Sequence, residues 1–517
     1  MNFRTFVILI NILFTIPGLH GNELKIETAK RVLDKLYQAN GNLIFIKPGI
    51  RISDKEFAVA QYLAGENVII LERKLLQLCY EFGSDSMNAL AFVLGHELMH
   101  CSSIQSKTKN YQTNFLARSH EHSTPDEDER MADVQGLFSC WLADFNASAI
   151  LPDLLKKIYS SYGLEQKLKG YPSLSDRMKT SYELVDQVKL MIQLFENASY
   201  LVAAEEFQLA RNSYLYLETY YPSYEIYNNI GISYLLEALD MQDDEGGFIY
   251  PIVIDPTSRL SKLGNVRGTE DAAVATKRLD HLKKAQMYFN KALRLNYNYF
   301  TAELNLMCVQ NLIGNNKEVI TKFKETELAK RKLMGLISGF EFNQGRAVLA
   351  LAYLKSNQTT EGIALLDKII RFSADSMLVR QSRCNKDMLF KRFCFIEVAK
   401  LDPQLINSKR LVDGVKLHRQ TYIGNQIKLI DQIEVSIKSL PESTIYVYSK
   451  NKQVQFVLQR VEKGSFYNKS VKLNVGNAVV RAKSNSICNY KENRLILLVN
   501  NESSRIKEVV YYNSFGG

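Results

Sequence analysis

Hydrophobic and polar positions change their rhythm three times along this chain of 517 residues. Thr5 to Ile16 is a nearly uninterrupted apolar run behind the charge of Arg4, broken by Pro17-Gly18 and followed by Gly21. That layout predicts a secretory signal peptide over 1–21, since the run is short of the ~18–20 apolar residues a membrane span needs. Cleavage is expected near Gly21; Leu19 fits the small-residue rule poorly, so a retained signal anchor is the alternative. No later segment is apolar for long enough to span a membrane, and a soluble mature chain is expected. From about Thr444 the pattern alternates, in Thr444–Tyr448, Val454–Leu458, Val471–Val475 and Leu495–Val499. Alternation predicts strands, and hence a small β-rich region over 401–517 in which no chemistry is legible.

Between these ends the pattern is helical and repeats itself. Tyr227, Ile230, Gly231 and Tyr234 match the first helix of a tetratricopeptide repeat, and Ala285, Phe289 and Ala292 match the second. Ala210, Tyr214 and Pro222 fit the end of an earlier repeat, Asn305, Leu306 and Gly314 open a later one, and Ala350, Tyr353 and Leu366 fit another. About four repeats of ~34 residues are expected within a domain over 189–400. An insertion over 241–276 interrupts them; its stretch Gly246 to Asp255 reads as a short strand or hairpin. Stacked repeats form a solenoid whose concave face binds peptides or protein partners. The alternative is an irregular helical domain.

The candidate chemistry lies ahead of the repeats, in Ala91-Phe-Val-Leu-Gly-His-Glu-Leu-Met-His100. Residues four apart share a helix face, so His96 and His100 can hold one metal ion while Glu97 serves as general base. Only seven histidines occur in the chain, and Ala89, Leu90, Phe92, Val93 and Leu94 place the helix in a core. A catalytic zinc site takes three protein ligands and leaves one position open. Thr124, Pro125 and Glu127 read as N-cap, first helical residue and capping box of a second helix. On it Glu129, Ala132, Asp133, Gly136 and Cys140 form a stripe of acidic and small residues that lets two helices approach closely. Glu129 is the candidate third ligand, and Asp133 the acceptor of the second ring N–H of a ligating histidine. Asp126, Glu127 and Asp128 complement the helix dipole. Cys101 points off the His96 face, and His120 and His122 read as loop residues.

Together, His96-Glu-Leu-Met-His100 and Glu129-Arg-Met-Ala-Asp133 resemble the CAAX prenyl protease and HtpX-like zinc metallopeptidases, particularly their exported BepA-like members with helical repeats. The resemblance covers about Asn42 to Arg177. It implies an α+β gluzincin-type metallopeptidase domain over 22–188 and one Zn2+ per chain. It also implies that Glu66-Asn-Val-Ile-Ile-Leu-Glu72 is a sheet edge where a peptide substrate pairs, at Asn67, Val68 and Ile69. Where the family carries His-Pro and then Arg, this chain has Tyr171-Pro172 and Arg177. Tyr171 either donates to a developing oxyanion, occupies the open metal position, or packs. The function implied is an exported, periplasmic endopeptidase acting on misfolded or misassembled envelope proteins, with a protein partner on the repeats; secretion is the alternative location. A repeat-based assembly factor with a latent metal site is the other reading.

Seven cysteines are too few for a disulfide scaffold, although Cys384 and Cys394 are close enough to pair; Cys101 and Cys140 read as buried packing residues. The net charge of +10 is spread along the chain without a phosphate loop or an RNA-binding aromatic motif, so nucleic acid is a poor partner. Peripheral contact with an anionic membrane is one use of that charge.

Overall fold

The computed structural model describes residues 17–55, 59–108, 125–164, 173–241, 248–252, 272–390, 425–440, 443–461, 478–481, 485–490, 494–500 and 506–515. The apolar run Thr5–Ile16, His120, His122, Thr124, Tyr171, Pro172, Cys394 and the expected strand Val471–Val475 lie outside them. The protein is mixed α+β and divides into two compact units, Met1–Leu190 and Met191–Gly517. The second holds both the helical hairpins and the C-terminal sheet, which the sequence pattern divides at residue 400.

In the first unit, α1 (Pro17–Gln38) is followed by β1 (Gly49–Ser53), β2 (Ala60–Leu63), β3 (Val68–Glu72) and α2 (Arg73–Tyr80). Then come α3 (Ser86–Thr108), α4 (Pro125–Leu142), α5 (Leu151–Ser161) and the start of α6 (Leu174–Ala203). α1 is described from Pro17 on and runs through Gly21. α3 is the centre of this unit. Every residue from Ala89 to Leu94 is buried, as are Leu98, Met99 and Cys101, because α1, α2, α4 and β2 cover it from several sides. α4 is described from Pro125 on, and the expected N-cap, Thr124, lies outside the described residues.

The strand order is β1-β3-β2, with β1 parallel and β2 antiparallel to β3. This corrects the edge expectation: Val68 and Ile69 lie on the central strand, where β1 and β2 already pair with them. Asn67 sits just before it in a left-handed conformation, φ 51°, which asparagine tolerates. The edges are β1 and β2.

The second unit pairs helices α7 (Phe207–Glu218), α8 (Tyr224–Asp240) and α9 (Ala272–Leu295) in sequence. It continues with α10 (Phe300–Leu312), α11 (Asn316–Lys322), α12 (Glu325–Leu333), α13 (Gly339–Lys355), α14 (Thr359–Phe372) and α15 (Ser376–Leu389). α8 packs closely on α9 at Gly231, where any Cβ would lie 2.6 Å from the Phe289 ring. Residues 248–252, the described part of the stretch expected to be strand or hairpin, are not strand; the rest of that stretch lies outside the described residues. Pro251 lacks a ladder donor, and the backbone groups of Ile249 are taken by a side chain instead.

Among the described residues the C-terminal strands are β4 (Asn425–Lys428), β5 (Ile433–Leu440), β6 (Ser443–Lys450), β7 (Gln453–Val461), β8 (Ala478–Arg481), β9 (Asn485–Tyr490), β10 (Leu495–Asn500) and β11 (Ile506–Ser514). They form one antiparallel sheet in the order β4-β5-β6-β7-β11-β10-β9-β8. The sheet is anchored to α6, where Asn489 donates to the carbonyl of Ala203 at 2.6 Å and Arg460 pairs with Glu196 at 2.7 Å. Thr444 to Tyr448 is buried on both faces, so alternation along β6 does not separate a wet from a dry side.

Candidate metal centre

His96 and His100 face the same side of α3 because four residues nearly complete one helical turn. α4 brings Glu129 to them through a close helix–helix approach. A Cβ on Gly136 would fall 2.8 Å from the His96 backbone nitrogen, and one on Gly95 would fall 3.0 Å from the Gly136 carbonyl oxygen. The small stripe on α4 is thus the reason the carboxylate can reach.

Three donor groups converge. His96 Nε2 lies 3.0 Å from His100 Nε2 and 3.4 Å from a Glu129 oxygen, and His100 Nε2 lies 3.3 Å from the other Glu129 oxygen. Two ligands on a tetrahedral ion with bonds of about 2.0–2.1 Å are about 3.3 Å apart, so this donor set fits one small divalent cation. His96, His100 and Glu129 are the residues that could hold it.

The second ring nitrogen of His96 is fixed. Its Nδ1 lies 2.8 Å from Asp133 Oδ1, which leaves Nε2 turned toward the other two donors. Arg177 on α6 in turn grips both oxygens of Asp133, at 2.7 and 3.1 Å. Burial lowers the His96 pKa, but Asp133 and Glu129 outweigh it and raise it to about 10. The imidazole is therefore set in a field that favours a positive charge, either its own proton or a cation bound at Nε2. Glu129 is held below the ordinary carboxylate range by its bonds to His100 and His96. Burial raises Asp133, yet His96 and Arg177 outweigh this and keep it ionised.

Glu97 is not one of the three donors. Its side chain is buried, and one carboxylate oxygen accepts a 2.8 Å bond from the backbone N–H of Tyr62 on β2. Burial raises its pKa, against the lowering influence of His96 and His100. A carboxylate so placed takes up a proton more readily than one in water.

Two contributors carry no recognisable signature in the sequence. One is the Tyr62 N–H, a main-chain donor. The other is Gln105, whose amide donates to Asn67 at 2.9 Å and to the Ile46 carbonyl at 3.0 Å, tying the sheet to α3. Asn67 therefore acts in the scaffold, where its Oδ1 also accepts from the Tyr62 hydroxyl at 3.0 Å. Cys101 and Cys140 are buried free thiols, as packing residues should be. Cys384 is disulfide-bonded.

Arg177→Leu tests the support behind His96. It strands Asp133, 2% exposed, without its cation, and the expected loss is about 3 kcal/mol of stability with 10–100-fold weaker metal binding. Denaturant unfolding and competition with a chelator measure the two. Unchanged metal affinity would mean that the Arg177–Asp133 pair does not orient the histidine.

No protein-family model matches the chain, and no curated protein matches it.

Proposed function

We propose that this chain is a zinc-dependent endopeptidase, exported to a periplasmic or other oxidising compartment, where it cleaves unfolded or misassembled proteins. The observation that carries the reading is the pairing of the three-donor cluster with a separate buried carboxylate, Glu97, anchored by the Tyr62 N–H. A structural metal site needs no such base. Two imidazoles and one carboxylate suit zinc among the common divalent ions, and the motif resembles that of HtpX-like peptidases. A disulfide at Cys384 fits an oxidising compartment. No described helix is long and apolar enough to cross a membrane.

His96, His100 and Glu129 would hold the zinc ion, which when bound would supply a water of lowered pKa and polarise the scissile carbonyl. Glu97 takes the proton of the attacking water on its free carboxylate oxygen and returns it to the leaving amine nitrogen. The Tyr62 N–H holds the other oxygen, so the proton-accepting lone pairs keep one orientation through both transfers. Asp133 and Arg177 keep the His96 ring in one tautomer.

The purified protein should contain about one zinc per chain and cleave unfolded casein. Chelation should abolish cleavage and added zinc restore it. Glu129→Ala should weaken metal binding by more than about 100-fold, the most that losing an outer hydrogen-bond partner costs. Cleavage indifferent to chelation, or metal content unaffected in Glu129→Ala, would refute the assignment.

A further inference from the structure

The insertion between α8 and α9 places residues 248–252 against α15 in the manner of a bound peptide. The N–H of Ile249 donates to Asn385 Oδ1 at 2.7 Å, and Asn385 Nδ2 donates back to the Ile249 carbonyl at 2.8 Å. One carboxamide thus satisfies both main-chain groups of one residue, as a neighbouring strand would. Tyr250 and Ile252 flank that contact and are 3% and 2% exposed. Cys308 of α10 and Arg278 of α9 lie near enough to Tyr250 to act on its hydroxyl electrostatically. The α15 face beneath is itself buried and polar, with Gln381, Ser382 and Asn385 at 3%, 1% and 2% exposure.

The fit is incomplete. Neither the Tyr250 hydroxyl nor the Ser382 hydroxyl has a hydrogen-bond partner among the described residues. A buried hydroxyl without a partner loses its hydration and gains nothing. The segment belongs to the same chain as the site, and a tethered segment competes at a high effective concentration. Asn385 reads only backbone, so its grip does not depend on the residue at position 249; the sockets for Tyr250 and Ile252 supply the selectivity.

We propose that this groove of the second unit, lined by α9, α10 and α15, is a binding site for an extended peptide. That peptide would have an aromatic residue, then proline, then an aliphatic residue, and the groove is occupied in cis by Phe248-Ile-Tyr-Pro-Ile252. A partner segment of the same chemistry displaces the internal one. The proposal needs no metal and stands apart from the peptidase reading.

The test uses the full chain and a fluorescent peptide copied from residues 245–255, in one version with phenylalanine at the tyrosine position. Wild type should bind weakly, because the tethered segment competes. A Tyr250→Ser/Ile252→Ser variant, whose own segment no longer fills the sockets, should bind about tenfold more tightly or better. Adding Asn385→Ala to that variant should remove about tenfold or more of the affinity. The phenylalanine peptide should bind about fivefold more tightly than the tyrosine one, since it buries no unpaired hydroxyl. Equal affinity for wild type and the double variant, or no binding by a double variant that keeps its helical circular dichroism, overturns the proposal. If the double variant does not fold, wild type decides. Excess phenylalanine peptide should accelerate hydrogen exchange at the Ile249 amide, and unchanged exchange rejects displacement.

Discussion

Glu97→Gln should reduce casein cleavage by about 10³-fold or more while leaving the zinc content of the protein unchanged. The two halves of that result come from different atoms. Metal retention rests on His96, His100 and Glu129, whose donor atoms lie within 4.8 Å of one another. Glutamine has the size of glutamate, and its carbonyl oxygen can still accept the 2.8 Å bond from the Tyr62 N–H. The side chain therefore stays where it is. What disappears is the ability to take a proton from water and hand it to the leaving nitrogen, and a carboxamide has no basicity for that at neutral pH. Elemental analysis and cleavage of unfolded casein read the two halves separately. Cleavage within tenfold of wild type would show that Glu97 is not the base. Loss of both metal and activity would instead make Glu97 a part of the metal's support.

The parts of this site that are readable in the sequence are those set by a local period. His96, Glu97 and His100 lie within two turns of α3, and Glu129, Asp133 and Gly136 within two turns of α4, so helix geometry alone predicts which of them share a face. The contact of Tyr62 with Glu97 spans 35 positions and uses a main-chain group that every residue but proline possesses. No pattern of side chains can announce it. Strand order escapes for a related reason: Val68 to Leu71 is apolar enough to be a strand, but being central or at an edge depends on where β1 and β2 fold back. The insertion misleads in a different way. Its β-branched and aromatic residues suit a strand, yet in residues 248–252 the backbone pairing is made by the Asn385 amide, 136 positions away. In the C-terminal region alternation correctly marks β6, β7 and β10. It cannot show that α6 packs against the sheet, because a residue that makes that contact, Arg460, is a charge near the end of β7.

Arg460→Met should cost about 3 kcal/mol of stability at neutral pH, and the deficit should shrink as the pH is lowered. Arg460 is 14% exposed and binds Glu508 through Nε and, at 3.1 Å, through a second nitrogen; a third contact reaches Glu196 at 2.7 Å. Glu508 also accepts from the Tyr200 hydroxyl at 2.8 Å. The Arg460 guanidinium touches both carboxylates, and methionine leaves two acids facing each other beside a buried ring. The Glu196 side chain is 36% exposed, so water screens its share and most of the loss falls on Glu508. Burial already raises Glu196 against the lowering effect of Arg460. Without the arginine, nothing offsets the burial that raises the Glu196 carboxyl above its unfolded value. The native variant then binds more protons than its unfolded chain at any pH between the unfolded and folded pKa values, so its stability falls as pH rises through that window. Below the unfolded carboxylate pKa both states are protonated, and the electrostatic part of the deficit vanishes. Urea unfolding of wild type and variant at pH 4 to 8 measures this. A deficit independent of pH would mean that the loss is one of packing, and that Arg460 does not serve to neutralise the acids between the sheet and α6.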